Sequence, residues 1–373
     1  MELSLEIYSL IVAHMGSRGD ICTLALVSKS FQAAAERALY NTLLMTDPAH
    51  TAMLCGLLAR QPRVASLVVA LTISTDEGSV ASESDPSPLL PLGHWDLVHR
   101  ALRRTSRLRY LSIYLDTGDG SNLSWILRDC TFQLQAFHCD LAWDADLVSF
   151  LSGQAGLSHL HVSDFDSNTP NNISLSSSSA PGTHVLPRLA MVECTFIDVV
   201  ELLAPGRPLT HIKTCFSRTL PVEKHAELTT LVSSLKLSTT PIRSLNIPDS
   251  VYVASFSLDI LSHLVNALRP NLRLEYLGPF VLPVDGRERL RLYGLFRQLP
   301  YLHCVELEVS AWDPPPVSVE AMRSLARELR LYGSAVSTVI FLADLEETIV
   351  RRTVSGNWIV DEDVNPDTLW HDV

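Results

Sequence analysis

Histidine changes charge near neutral pH and is a frequent metal ligand and proton carrier. In this sequence His138, His159, His161 and His211 fall inside short runs of alternating apolar and polar residues. Side chains of a strand point alternately to its two faces, so residues lying between apolar positions face away from the core. That reasoning puts Tyr110, His138, His159, His161, Met191, Glu193, His211, Lys213 and Glu306 on one face of successive strands. Such a face suits binding of a partner protein; a solvated polar face with no partner is the alternative. No metal is expected, because a flat sheet face rarely brings three ligands together with a second shell to orient them.

Motifs for catalysis are missing from the sequence. It has no phosphate-binding glycine loop with its lysine, no Gly-x-Ser-x-Gly elbow and no His-Glu-x-x-His helix. Cysteines at metal spacing are absent as well. Asp144 and Asp146 stand two apart, but at the expected start of a helix, where a carboxylate caps backbone N–H groups. The sequence therefore points to binding rather than to an enzyme, and no cofactor is expected.

The 373 residues carry 29 basic against 41 acidic side chains, a formal charge of -12. This balance provides no basic footprint for nucleic acid and would be repelled by an anionic membrane. No apolar run reaches the roughly 18–20 residues that cross a bilayer. The apolar stretch from Leu3 to Met15 carries Glu6, with Glu2 just ahead of it, and lacks a basic leader and a small-residue cleavage site, which argues against a signal peptide. Seven scattered cysteines fit buried free thiols of an intracellular protein, in the cytoplasm or nucleus, better than a disulfide framework.

The elements that would position the face follow from spacing. After Asp47-Pro48, a cap with proline at the first helical position, Met53, Leu54, Leu57 and Leu58 mark a helix that stops near Gln61-Pro62. A strand-like run is expected at Val64, Leu67 and Val69. Its spacing recurs at Leu108/Leu111/Ile113, Leu134/Phe137/Cys139, Leu157/Leu160/Val162, Leu189/Val192/Cys194, Leu209/Ile212/Thr214 and Ile242/Leu245/Ile247. Weaker copies lie at Leu302/Val305/Leu307 and Val336/Val339/Phe341, and a doubtful one starts at Leu274. Amphipathic helices are expected over 95–104, 145–151, 197–203, 256–268, 288–299 and 319–331. Strand and helix thus alternate every ~20–35 residues, which resembles a leucine-rich repeat in loose form. Repeat lengths are uneven and the family's asparagine is mostly missing, so another α/β arrangement remains open.

Residues 1–40 read as three short helices. Leu3, Ile7, Leu10 and Ile11 share one helical face, Gly16 to Gly19 break the pattern, and Asp20 is placed to cap a second helix. Ser28 is placed to cap a third helix, along which Phe31, Ala34, Ala35, Ala38 and Leu39 align. One reading is a cap over the open end of a repeat array. These residues also resemble the F-box, especially of fungal type. Leu3, Glu6 and Ile7 match its opening Leu-Pro-x-Glu-Ile; Asp20, Leu24, Val27, Ser28, Lys29 and Phe31 match its central run; Ala35, Leu39 and Tyr40 match its end. Ser4 replaces the usual proline and Lys29 the usual arginine.

The resemblance implies docking onto a Skp-family adaptor and, through it, a cullin ubiquitin ligase, with the repeat face presenting an unknown target protein. The positions it carries over for the adaptor are Leu3, Ser4, Ile7, Leu24, Val27, Ser28 and Phe31. The expected fold class is α/β: a three-helix F-box over 1–45, then an irregular leucine-rich-repeat-like right-handed α/β solenoid over 46–360, then an acidic tail or cap over 361–373. Loops are expected at 74–91 and 163–187; the serine-rich second one suits either phosphorylation or mere flexible insertion. Trp358 and Trp370 are available to pack the tail on the last repeat.

Overall fold

The computed structural model describes residues 4–74, 93–115, 123–163, 185–249, 251–268, 273–316 and 318–373. Most of both expected loops, and the serine run in the second, lie outside them. Among the described residues the chain is mixed α/β, with twelve α-helices and thirteen strands. Its contacts divide it into two compact units, Met1–Arg188 and Leu189–Val373.

The first unit opens with α1 (Leu5–Ala13), α2 (Arg18–Leu24) and α3 (Lys29–Tyr40). Ser28 caps α3 as expected, accepting from the Phe31 N–H at 3.2 Å. The cap of α2 is Ser17, which accepts from the Gly19 N–H; Asp20 lies inside the helix. Then come β1 (Thr42–Met45), α4 (Pro48–Arg60), α5 (Pro62–Ala65), β2 (Ala70–Ser74), α6 (His94–Leu102), β3 (Tyr110–Tyr114), a 3-10 turn at Ser124–Leu127, β4 (Ala136–Cys139), α7 (Ala145–Ser152) and β5 (His159–Val162). Asp47 caps α4 and Asp144 caps α7, the latter accepting from the Leu147 N–H. All five strands pair in parallel, each with the next in sequence. Parallel neighbours need a crossover between them, which the helices and connecting segments supply.

The run at Val64, Leu67 and Val69 is not a strand. Pro62 starts another helical turn, and the strand comes about one turn later, with Val68, Leu71 and Ile73 buried in the places of the repeat. Leu71 pairs with Leu111 and Ile73 with Ile113, so the true register lies four residues along. Ser74 ends β2 rather than beginning a loop.

In the second unit are β6 (Met191–Cys194), α8 (Ile197–Leu203), β7 (His211–Lys213), α9 (Pro221–Leu235), β8 (Ser244–Asn246), α10 (Ala254–Leu268), β9 (Tyr276–Val281), α11 (Gly286–Phe296), β10 (Cys304–Glu308), α12 (Val319–Tyr332), β11 (Thr338–Ala343), β12 (Glu346–Arg352) and β13 (Trp358–Val360). Strands β6 to β11 pair in parallel, again in sequence order, and β12 and β13 add antiparallel. The doubtful copy at Leu274 is β9. It holds one extra residue against β10: Leu277 faces Val305 but Phe280, not residue 279, faces Leu307. That bulge breaks the spacing.

The apolar repeat positions form the cores. Leu108, Leu134, Leu157, Leu189, Leu209 and Leu302, each just ahead of its strand, are fully buried, as are their Leu, Ile, Val and Phe partners. No helix among the described residues is long and apolar enough to cross a membrane.

Candidate functional site

At the N-terminus, α1 and α3 are joined by Tyr8 and Phe31, whose rings meet edge to face with centroids 4.7 Å apart. Val12, Ala34 and Ala35 are buried between elements. The Arg63 guanidinium pairs with Glu36, fastening α3 to the α5 turn and holding the Glu36 carboxyl below its usual range. Ser4 precedes α1 in an extended conformation. Glu6 in the first turn titrates below its ordinary value because it accepts from a backbone N–H and from the Ser4 hydroxyl.

Little apolar surface can be buried by three helices of this size, and the apolar residues left outside are informative. Leu26 is 88% exposed and Val27 64%; Leu5, Ile7 and Leu10 are exposed on α1. Of the positions carried over from the resemblance, Ile7 and Val27 are thus open, Ser4 and Ser28 stand at helix starts, and Leu24 and Phe31 are half-buried. Leu3 lies outside the described residues. Leu5 and Leu26 were not singled out from the sequence, and Leu10 only as part of a helical face. The signal was present, since LEIYSLIVA is apolar almost all round and so exceeds what one core face can cover.

The expected sheet face divides by unit. In the first unit, His138 and His161 are cross-strand partners with ring centroids 5.6 Å apart. Tyr114 stands edge-on to His161. His159 is exposed, with Nδ1 2.7 Å from the Ser158 hydroxyl, and the exposed Tyr110 donates to Gln135 at 2.9 Å. These four occupy the side expected of them.

In the second unit Met191, His211 and Glu306 are buried, not open. The C-terminal segment covers the first two: Leu369 and Trp370 pack in one cluster with Met191, Tyr276, Cys304, Ile340 and Ile349. Nε2 of His211 lies 2.8 Å from the carbonyl oxygen of Val373, and Nζ of Lys213 stands 5.9 Å from the Trp370 ring centre while pairing with Glu193 at 3.1 Å. One oxygen of Glu306 accepts from Tyr276 (2.7 Å) and from the Asn246 amide (3.2 Å). Burial raises the Glu306 carboxyl to about 7 despite those hydrogen bonds. Expected as part of an open surface, this glutamate belongs instead to an interior polar cluster.

A cleft on the helical side of the first unit is bordered by Arg128, Asp146, Cys130 and Gln133. Its two charges satisfy each other, Arg128 Nε and Nη2 donating to the two Asp146 oxygens at 2.7 and 2.6 Å. Burial pushes the Cys130 thiol up to about 12, the reverse of what an activated nucleophile needs. All seven cysteines are free thiols; Cys22 on α2 is exposed, against expectation, and Cys55, Cys139, Cys194 and Cys304 are buried. No group of three His, Cys, Asp or Glu residues among the described residues is arranged to hold a metal. Compared with protein-family models and with curated proteins, the chain matches none.

Proposed function

We propose that this chain is a non-catalytic substrate-recognition adaptor of F-box type. Its N-terminal helices would dock a Skp-family adaptor, and through it a cullin ubiquitin ligase, while its sheet presents a target protein. The observation that carries the reading is the exposed apolar set Leu5, Ile7 and Leu10 on α1 and Leu26 and Val27 in the turn after α2, in a segment that resembles the F-box at Glu6, Ile7, Leu24, Val27, Ser28 and Phe31. Exposed apolar groups that cluster on one small motif mark a binding surface. The repeated unit of buried Leu-x-x-Leu-x-Leu strand and following helix, each strand beside the next, further supports a leucine-rich-repeat-like solenoid of right-handed crossovers.

Capture of purified Skp-family adaptor by the full chain tests this. Binding comparable to that of an authentic F-box protein is expected, and its absence under the same conditions overturns the proposal.

One observation favours a second reading, in which the helices only cap the repeats. Residues 42–45 continue directly from α3 into a strand paired with β2, and Glu36 is tied to Arg63. Deleting residues 1–40 separates the two. Under the adaptor reading the remainder keeps its cooperative unfolding and loses adaptor binding; under the cap reading it unfolds.

A further inference from the structure

The C-terminal segment is held in an unusual way for the end of a sheet. Asp361 ties its start to β12, donating its N–H to the Ile349 carbonyl at 2.9 Å and pairing with Arg351 at 3.1 Å. Beyond it, among the described residues, the segment's backbone–backbone hydrogen bonds stay within the segment, and the Val373 carbonyl meets the His211 side chain at 2.8 Å. Thr368 donates to Asn365, Leu369 to Pro366 and His371 to Thr368. Asn365 caps the small turn by accepting from Asp367. The segment therefore adds no strand. Side chains seat it: Leu369 and Trp370, the latter 1% exposed, with Val364 and Val373 at the margin.

This is the way a peptide is held on a protein surface, with a buried aromatic anchor and a few polar contacts around it. The ground beneath joins that apolar cluster to polar side chains. It holds His211, the Lys213–Glu193 pair and the Asn246–Tyr276–Glu306 cluster. Burying such groups costs free energy unless each is paired, and the Lys213–Glu193 pair and the Asn246–Tyr276–Glu306 cluster are paired with one another, so they stay satisfied whether or not the segment lies over them.

We infer that the sheet face of the second unit, over β6 to β12, is a peptide-binding face that residues 361–373 occupy as an internal ligand. The partner it takes in their place is a protein segment with adjacent leucine and tryptophan side chains and an acidic residue ahead of them. The leucine and indole fill the places of Leu369 and Trp370 among Met191, Tyr276, Cys304 and Ile340, and Lys213 faces the ring. The acidic residue meets Arg351, as Asp361 does. A tethered ligand acts at a high effective concentration, so an outside segment gains the face when the tail leaves it. The inference rests on reading this sheet face as a recognition surface and not on adaptor docking, so peptide binding and adaptor capture fail independently.

The test uses the chain ending at residue 360 and, as probe, a labelled synthetic peptide of residues 361–373. The shortened chain is expected to keep cooperative unfolding and to bind the peptide saturably, at least about tenfold tighter than the full chain does. A peptide carrying Trp370→Ala is expected not to bind. No binding, equal binding of the two peptides, or loss of folding on shortening overturns the inference. A second variant covers the last outcome in the intact chain. With Leu369→Ala and Trp370→Ala together, amide exchange over 364–373 should become fast while β8 to β10 stay protected. If those strands lose protection too, the segment is part of the core and the inference fails.

Discussion

Tyr276 donates its hydroxyl to Glu306 at 2.7 Å across two neighbouring strands, and the same carboxylate oxygen accepts from Asn246. Both side chains are buried, so the pair is fixed by geometry and its charge state is set by the interior. Burial lifts Glu306 from its ordinary 4.5 to about 7, with the nearby Glu347 adding to the rise. The folded chain therefore keeps a proton between these values that the unfolded chain has released. This group favours folding in acid, loses that contribution as pH rises from about 4.5 through about 7, and adds no further pH dependence above it. The span corresponds to on the order of 3 kcal/mol.

Glu306→Gln removes the titration while leaving an acceptor for Tyr276. Relative to the unaltered chain, the variant should gain stability as pH is raised from 5 to 8, read from urea unfolding midpoints. Parallel pH profiles for the two chains would refute the assignment.

Gly278 makes this approach possible. A Cβ there would meet the Glu306 Cβ at 2.3 Å and its backbone at 3.0 Å. Gly278→Ala should therefore destabilise by about 3 kcal/mol, the upper part of the range for overpacking. Gly286→Ala is the control. It adds a methyl to open space at the first position of α11, and alanine there should be neutral or slightly stabilising. Equal loss in both variants would contradict the close-packed account.

Lys224 on α9 and Asp249 after β8 form a buried ion pair, each side chain 6% exposed, with Nζ 2.6 Å from both carboxylate oxygens and near the Val251 carbonyl. Removing one charge strands the other in the interior. Lys224→Met should cost about 3–5 kcal/mol, and adding Asp249→Leu should restore much of it. The effect of Lys224→Met should persist in high salt, because a buried pair is weakly screened. A loss below about 1 kcal/mol would place the pair with ordinary surface bridges.

Buried alternation made most strands legible. At Leu157, Leu160 and Val162 every apolar position of the run is buried, so spacing alone gave the strand and its facing. The strand over 42–45 was missed because Leu43 and Met45 are its only buried positions and nothing marks them as a repeat. Helix α9 was missed although Leu228, Leu231, Val232 and Leu235 follow helical spacing, since serines and threonines dilute it. The burial of Met191, His211 and Glu306 was not legible: the sequence shows Trp370 as able to pack the tail on the last repeat, but not as reaching Met191 on β6. For Met191 and His211 it depends on where residues 361–373 lie, 150 or more residues further along the chain, and local pattern carries no information about such a contact. Likewise, the sequence did not separate docking from packing at Ile7 and Phe31: both suit a helix face, and only the Tyr8 contact shows which is partly enclosed.

That separation allows the N-terminal helices to be tested without unfolding them. Leu26 and Val27 are exposed, so Leu26→Asp and Val27→Asp should each change stability by no more than about 0.5 kcal/mol. If these side chains are buried by an adaptor, a carboxylate in their place loses the apolar contact and adds a desolvation cost, together at least 1.4 kcal/mol, or about tenfold in affinity. Val12→Asp is the contrasting variant: Val12 is buried, and its loss should melt the helices and abolish binding together. Thermal unfolding with adaptor titration on the three variants reads both quantities. Unchanged binding by Leu26→Asp and Val27→Asp would leave the helices as a cap on the sheet.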